Sequence, residues 1–173
     1  MLYSEKYVNE EISIARNAIA ESGLYRTNIT GELKYELYCI PSHNHYCYYV
    51  QILCSQDKNH MIYARTEIDD FICGKILMYP FSDAVNRNNR QYGKIVCGMR
   101  EISSTFKENL IQAFEIVPDK REWQEHSLII IDGVFQMIRM YENNSIIKEF
   151  AYFHCENDFL NDFYEVVEAE IKG

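Results

Sequence analysis

Glycine and proline are scarce in this chain of 173 residues, which holds seven glycines and three prolines. These residues favour turns and flexible linkers, so their scarcity disfavours long loops and a division into separate domains. The length also suits one domain, because a chain of this size buries about 70% of the surface of its unfolded form. We therefore expect a single globular domain over residues 1–173.

Long apolar runs are also missing, and none approaches the roughly 20 residues that a membrane-spanning helix needs. The first residues, MLYSEKYVNEE, lack the basic segment and apolar segment of a signal peptide. The six cysteines lie mostly in apolar runs, where a reduced thiol behaves as a small buried hydrophobe. These features predict a cytoplasmic protein that does not enter a membrane.

The short motifs of the common enzyme classes are absent. The chain has no glycine-rich phosphate loop, no His-Glu-x-x-His and no Gly-x-Ser-x-Gly. No cysteine stands in a Cys-His catalytic signature. We predict no catalytic residue and no cofactor, although these absences leave open a site assembled from residues distant in sequence.

Aromatic residues, by contrast, are abundant, with 14 tyrosines and nine phenylalanines, many of them in runs of strand character. The strand candidates are 33–40, 46–55, 61–68, 71–79, 94–102, 128–131, 134–141 and 146–153. Polar turns separate most of them, as in antiparallel meanders, and Gly98 is a candidate bulge. The segment 81–92 is polar and has the weakest pattern of the chain.

Three segments have helical periodicity. In residues 4–22 an apolar stripe runs through Val8, Ile12, Ala15 and Ile19. A middle helix is predicted to begin at a cap on Ser104 or Thr105, and a C-terminal helix at Asn157 or Asp158. We predict an α+β fold, with a mostly antiparallel sheet of about seven or eight strands and an N-terminal, a middle and a C-terminal helix.

The clearest hairpins lie between residues 127 and 153. Asp132-Gly133 is typical of a type I′ turn, and a second turn follows at Asn143. A two-residue loop there would set Arg139 opposite Lys148, whereas a three-residue loop over 143–145 sets it opposite Glu149. We predict the three-residue loop, which also pairs Tyr141 with Ile147 and Phe135 with Phe153. Large apolar side chains on both faces predict a sheet that is covered on both sides.

Acidic residues concentrate in the C-terminal part of the chain. The net charge is −9, and residues 101–173 hold 15 acidic and six basic residues. This balance disfavours nucleic-acid binding and suits a partner protein with a basic surface. The predicted contact residues are the only tryptophan and the outward acids of the last helix: Trp123, Asp158, Asp162, Glu165 and Glu168. The leading hypothesis is an intracellular bacterial or phage protein that binds another protein, as an immunity protein or inhibitor does.

The alternative hypothesis is a small enzyme or ligand-binding protein with an acidic and arginine-lined pocket near residues 67–92. Glu67, Asp69 and Asp70 have the chemistry of acid–base or magnesium groups. Arg87 and Arg90 have the chemistry to bind a phosphate or carboxylate ligand. Capping of a turn and exposure in a loop are the competing explanations for these residues.

A metal site is a further open question. Cys39, His43, His45 and Cys47 are all residue types that bind zinc, and a tight loop would bring them together. Their spacing is not that of a common zinc finger, and the two cysteines also suit simple packing at strand ends. We therefore predict no metal.

Overall fold

The computed structural model describes residues 5–26, 31–41, 47–68, 81–85, 93–115, 122–123, 134–154 and 169. The helices are α1 (Glu5–Glu21), α2 (Phe81–Val85) and α3 (Ser104–Glu115), and a 3-10 turn covers Leu24–Arg26. The strands are β1 (Glu32–Pro41), β2 (Tyr48–Cys54), β3 (Asn59–Ile68), β4 (Gly93–Ile102), β5 (Glu122–Trp123), β6 (Val134–Glu142) and β7 (Ser145–His154).

These strands form one sheet in the order β4-β3-β2-β1-β6-β7-β5. Six strands pair antiparallel, and the two-residue β5 pairs with β7 in parallel. The α+β class and the antiparallel sheet are therefore confirmed. The predicted number of elements does not match, because α2 was not expected, and the strand candidates 71–79 and 128–131 and the C-terminal helix lie outside the described residues. None of the helices in the described ranges is long and apolar enough to cross a membrane.

Helix α1 forms from the predicted apolar stripe, and Val8, Ile12, Ala15 and Ile19 are all buried. The helix ends before Gly23, whose φ of 80° lies in the left-handed region that glycine adopts without a Cβ clash. The apolar face of α1 packs on one face of the sheet, which we call the α1 face. Most residues on the opposite side of the helix are exposed to solvent.

Helix α3 lies on the opposite face of the sheet, the α3 face, through Phe106 and Leu110. Its cap is Ser103, whose Oγ accepts a hydrogen bond from the Phe106 N–H at 3.1 Å. The predicted cap at Ser104 or Thr105 is therefore wrong. Strand β4 stays paired through Ile102, which leaves only Ser103 between strand and helix.

Apolar side chains cover both faces of the sheet, as predicted. On the α1 face, Phe135 and Met137 pack with the stripe of α1. On the α3 face, Ile138 is buried with Leu110, and Phe150 packs against the same cluster. The central strands are thus interior strands, with a separate apolar core on each side.

The β6–β7 hairpin has the predicted pairing of charges, but its turn differs from the predicted three-residue loop. Arg139 lies opposite Glu149 and Phe135 opposite Phe153, as predicted. The loop has two residues, Asn143 and Asn144, both with positive φ, and a register shift follows between Met140 and Tyr141. The three-residue loop and the pairing of Tyr141 with Ile147 are therefore wrong, because a bulge supplies the extra residue and Tyr141 pairs with Ile146.

Two further expectations need correction. The weakly patterned segment 81–92 begins with helix α2, in which Phe81 is fully buried against the α1 face. Gly98 is not a bulge, because the register of β3 and β4 runs through the Tyr63–Gly98 pair without a shift. A Cβ at Gly98 would lie 2.3 Å from the Tyr63 hydroxyl oxygen, so the glycine makes room for the tyrosine ring.

Candidate functional site

Four polar side chains lie in line across the α1 face, one on each of four neighbouring strands. Gln51 of β2 lies opposite Glu36 of β1, Glu36 opposite Arg139 of β6, and Arg139 opposite Glu149 of β7. All four residues are buried, and Glu36 has no exposed surface. We call these residues the polar row. Side chains on one face of neighbouring strands lie close together, so register alone brings these four together.

Arg139 links the two carboxylates of the polar row. Its Nε lies 2.6 Å from Oε2 of Glu149, and its Nη1 lies 3.7 Å from Oε2 of Glu36. Its Nη2 donates a hydrogen bond to Oδ1 of Asn9 on helix α1 at 2.7 Å. A buried guanidinium therefore has two carboxylate partners in the sheet and an amide partner in the helix, and its charge is well compensated.

Helix α1 contributes a second arginine, which lies over Glu36. Arg16 donates from Nε to Oε1 of Glu36 at 2.8 Å, and its Nη2 also pairs with this oxygen. The same Nε is 2.9 Å from the Tyr49 hydroxyl oxygen. The Arg16 side chain is 43% exposed, so it closes the outer side of the cluster.

Two tyrosines complete the surroundings of Glu36. The Tyr49 hydroxyl donates to Oε1 of Glu36, and the Tyr141 hydroxyl donates to Oε2 at 2.7 Å. Gln51 extends the network outward, since its Nε2 donates to the Tyr49 hydroxyl at 2.8 Å. Its Oε1 accepts from the Tyr25 hydroxyl in the 3-10 turn. The hydrogen bonds thus run from the surface at Tyr25 to the buried carboxylate.

These contacts set the protonation of the cluster. Burial by itself would raise the pKa of Glu36, but the hydrogen bonds from Tyr49, Tyr141 and Arg16 outweigh it and lower this pKa. Burial and the neighbouring Glu36 carboxylate raise the pKa of Tyr141 to about 12. At neutral pH Glu36 is therefore ionised and the tyrosine is neutral, which suits a fixed set of donors around a fixed charge.

The cluster contains two arginines and two glutamates, so its formal charges cancel. A general acid or base works best with a pKa near the operating pH, and neither Glu36 nor Tyr141 meets that condition. The cluster instead ties helix α1 to strands β1, β2, β6 and β7. Its chemistry is that of a structural lock.

The acidic candidates of the alternative hypothesis are described in part. Glu67 lies between two cations, with Arg65 Nη2 at 2.9 Å and Lys94 Nζ at 3.0 Å. The hydrogen bond from Lys94 lowers the pKa of Glu67, so its carboxylate is ionised and occupied by ion pairs. The other proposed members, Asp69, Asp70, Arg87 and Arg90, lie outside the described residues.

The two cysteines among the residue types considered for zinc lie on opposite faces of the sheet. Cys39 is buried in the α3-face core, whereas Cys47 is buried in the α1-face core. Their thiols therefore do not converge on one tetrahedral site. His43 and His45 lie outside the described residues, and among the side chains that the structure does describe no group of three or more metal-binding types comes together.

The predicted partner-contact residues fall largely beyond the described part of the chain. For Trp123 the backbone is described: it forms β5 with Glu122 and pairs with Ala151 of β7. Asp158, Asp162, Glu165 and Glu168 lie outside the described residues. The acidic segment that contains them follows β7, which ends at His154.

Sequence reasoning missed Glu36, Arg16 and Tyr49, although Glu36 left a signal. Glu36 is a single acid inside the apolar run 35–40, and a charge in a strand covered on both faces requires a partner. The sequence paired Arg139 with Glu149, but nothing local links Glu36 to an arginine 20 residues away on a helix.

Comparison of the chain with protein-family models, curated proteins and solved structures finds no match. The functional conclusion therefore depends on the residues of this chain alone.

Proposed function

We propose that this protein is a cytoplasmic binding protein without catalysis of its own, which acts as an immunity protein or inhibitor by docking to a protein with a basic surface. The polar row carries the proposal. Together with Arg16, its charged groups neutralise one another within the fold, so these buried charges serve stability and leave recognition to the surface. A rigid sheet with a core on each face suits a protein that presents a fixed contact surface.

Three titratable groups of the described residues, Cys97, Glu36 and Glu67, support a role without acid–base chemistry, whereas the buried Glu11 has a raised pKa. Burial raises the pKa of the Cys97 thiol to about 11, so this thiol is protonated and a poor nucleophile at neutral pH. Glu36 and Glu67 have lowered pKa values because of their hydrogen-bonding partners. Perturbed groups at catalytic sites are usually shifted toward neutrality, and these three are shifted away from it.

The proposed contact surface joins Trp123 to the acids of the C-terminal segment. Strand β5 places the Trp123 backbone beside Ala151, three residues before the end of β7, and the acidic segment follows that strand. Residues 101–173 hold 15 acidic and six basic residues, which favours rapid association with a basic partner. Tryptophan is among the residues enriched at the centres of protein interfaces.

The experiment compares capture of the partner by two charge-reversed proteins. One protein combines Asp162→Lys with Glu165→Lys, and its matched control combines Glu10→Lys with Glu21→Lys on exposed positions of α1. Both changes shift the net charge equally. We expect native affinity capture to return one partner at a fixed stoichiometry with the wild type and the control, and binding at least tenfold weaker with the first variant.

Binding to the purified partner should also weaken as salt rises, because screening shortens the range of surface electrostatics. Isothermal titration calorimetry at two salt concentrations measures this dependence. The proposal is overturned if the wild type captures no partner of fixed stoichiometry, or if the two charge-reversed proteins bind the partner equally well.

A further inference from the structure

Helix α2 is attached to helix α1 by one buried carboxylate. Glu11 of α1 is 1% exposed, and its Oε1 and Oε2 lie 3.1 and 3.3 Å from the backbone nitrogen of Ser82. The Tyr38 hydroxyl of β1 donates to Oε2 at 3.3 Å. The carboxyl therefore bridges three elements, α1, α2 and β1.

The described donors to Glu11 carry no charge, in contrast to those of Glu36. Both carboxylates are buried, but Glu36 has Arg16 and Arg139 as ion-pair partners. The described donors to Glu11 are all neutral: the hydroxyl and backbone N–H of Ser82, the backbone N–H of Phe81 and the Tyr38 phenol. A buried carboxylate that is hydrogen-bonded only to neutral groups retains much of the cost of leaving water, and protonation removes this cost.

An apolar side chain of α2, Phe81, explains why the Glu11 carboxyl stays buried. Phe81, the first residue of α2, is fully buried, and its ring centroid lies 6.1 Å from that of Tyr38. Docking of Phe81 brings the Ser82 N–H to Glu11 and excludes water from the carboxyl. If α2 separated from α1, both the aromatic ring and the carboxyl would be exposed to solvent together.

We propose that Glu11 is a proton-linked clamp between α1 and α2: the neutral carboxyl holds α2 in place, and its ionisation favours the release of α2. Helix α2 lies between β3 and β4 in the chain, and the clamp acts on this helix. This inference is independent of the proposed partner.

The direction follows from linkage. Burial is the largest influence on the pKa of Glu11 and raises it, and the hydrogen bonds from Ser82 and Tyr38 offset this rise only in part. In the released state the carboxyl is in water and has its ordinary pKa of about 4.5. At a pH between these two pKa values, the carboxyl is protonated to a greater extent in the docked state than in the released state. The equilibrium constant for release then rises with pH, by at most about tenfold per pH unit for one proton.

Several other titratable groups lie near the clamp. Burial raises the pKa of Tyr38 well above its ordinary value, and Tyr7 and Cys47 are the ionisable neighbours of Tyr38 on α1 and beside β2. From β4, Cys97 has a pKa of about 11 because it is buried. Asp83 is a carboxylic acid next to Ser82 in the chain and requires a control of its own.

Amide hydrogen exchange at Ser82, measured by NMR from about pH 4.5 to about pH 8, tests the clamp. The rates are divided by the intrinsic rate at each pH, which gives a protection factor. We expect the wild-type protection factor to fall as pH rises, with a slope of at most about tenfold per pH unit. In Glu11→Gln it should be independent of pH, whereas Glu10→Gln and Asp83→Asn should retain the wild-type slope.

The carboxyl carbon of Glu11 provides a measurement that needs no variant. Its chemical shift in the wild-type protein should titrate with a midpoint above 4.5, the ordinary value. A midpoint at or below that value overturns the clamp, whether or not Glu11→Gln folds. So does a wild-type protection factor that is constant with pH, or a slope that persists in a folded Glu11→Gln protein.

Discussion

Glu36 combines complete burial with a carboxylate that is ionised at neutral pH. Arg16, Tyr49 and Tyr141 donate to its carboxylate, and Arg139 forms an ion pair with it in the plane of the sheet. Removal of one partner from such a network leaves another charge buried without compensation. This is strongly destabilising, even where replacement of the whole network by apolar residues would cost little stability.

Glu36→Gln should therefore destabilise the protein by about 3–5 kcal/mol, the range for removal of one partner of a buried ion pair. Chemical denaturation monitored by circular dichroism measures this change. Glu101→Gln is the control, because Glu101 forms an exposed ion pair with Lys58, and it should leave the unfolding midpoint unchanged. Equal stability of the two variants would contradict the assignment of Glu36 to a buried network.

The same residue sets a pH dependence of stability opposite in sign to that of Glu11. The pKa of Glu36 is lowered in the folded state, so its stabilisation is present above its unfolded pKa and is lost as pH falls through the folded value. We expect the free energy of unfolding to decrease as pH falls below about 4.5, the ordinary glutamate pKa. In Glu36→Gln this decrease should be smaller, as measured by urea denaturation at each pH. An unchanged pH profile would show that Glu36 does not cause it.

At the scale of single elements, the β6–β7 hairpin shows how two local preferences are reconciled. Two asparagines with positive φ favour a two-residue turn, whereas the Arg139–Glu149 contact at 2.6 Å requires one more residue on β7. The bulge opposite Tyr141 satisfies both requirements. The charge pairing was predictable from the sequence, but the choice between a longer loop and a bulge depended on backbone geometry.

Asn144 has a φ of 62°, which a β-branched residue adopts only with strain. Asn144→Val should destabilise the protein by about 1–2 kcal/mol, the cost of the left-handed conformation for an ordinary residue. Asn144→Gly, the matched control, should be as stable as the wild type or more stable, because Asn-Gly suits a type I′ turn. Thermal denaturation compares the two. Equal melting temperatures for the valine and glycine variants would exclude this turn.

Strands β3 and β4 depend on a glycine opposite a tyrosine. A Cβ at Gly98 would lie within 2.8 Å of three Tyr63 side-chain atoms, so Gly98→Ala requires the ring to move. We expect a loss of about 1–3 kcal/mol, as for other overpacked sites. In a Tyr63→Ala background the same change should cost much less, and a double-mutant cycle by denaturation measures the coupling. Additive effects would contradict the ring contact.

At the scale of the whole molecule, the sheet separates two apolar cores that share its strands. Cys39 and Cys47 lie in different cores although only seven residues separate them, because β1 presents Cys39 to one face and Cys47, directly before β2, lies against the other. The sheet therefore keeps these two thiols apart.

Chelation tests the consequence. Dialysis against a chelator should leave the melting temperature unchanged, because the fold places these two thiols in separate apolar cores. Scanning calorimetry before and after dialysis measures the melting temperature. Elemental analysis of the untreated protein is the accompanying control. Stoichiometric zinc, or a melting temperature that falls on chelation, would require a different arrangement of residues 39–47.

The sequence by itself determined the α+β class, helix α1, and the central register in which Arg139 faces Glu149. Each depends on local periodicity or on a pair of charges in neighbouring strands, and such information lies within short stretches of chain. Only the tertiary structure decided that Glu36 meets Arg16 and that Tyr141 reaches Glu36 from 105 residues away. The position of Glu11 against Ser82, 71 residues apart, also required the fold. These contacts join α1 to the sheet, β6 to β1 and α2 to α1, and no short stretch of sequence encodes which distant elements come together.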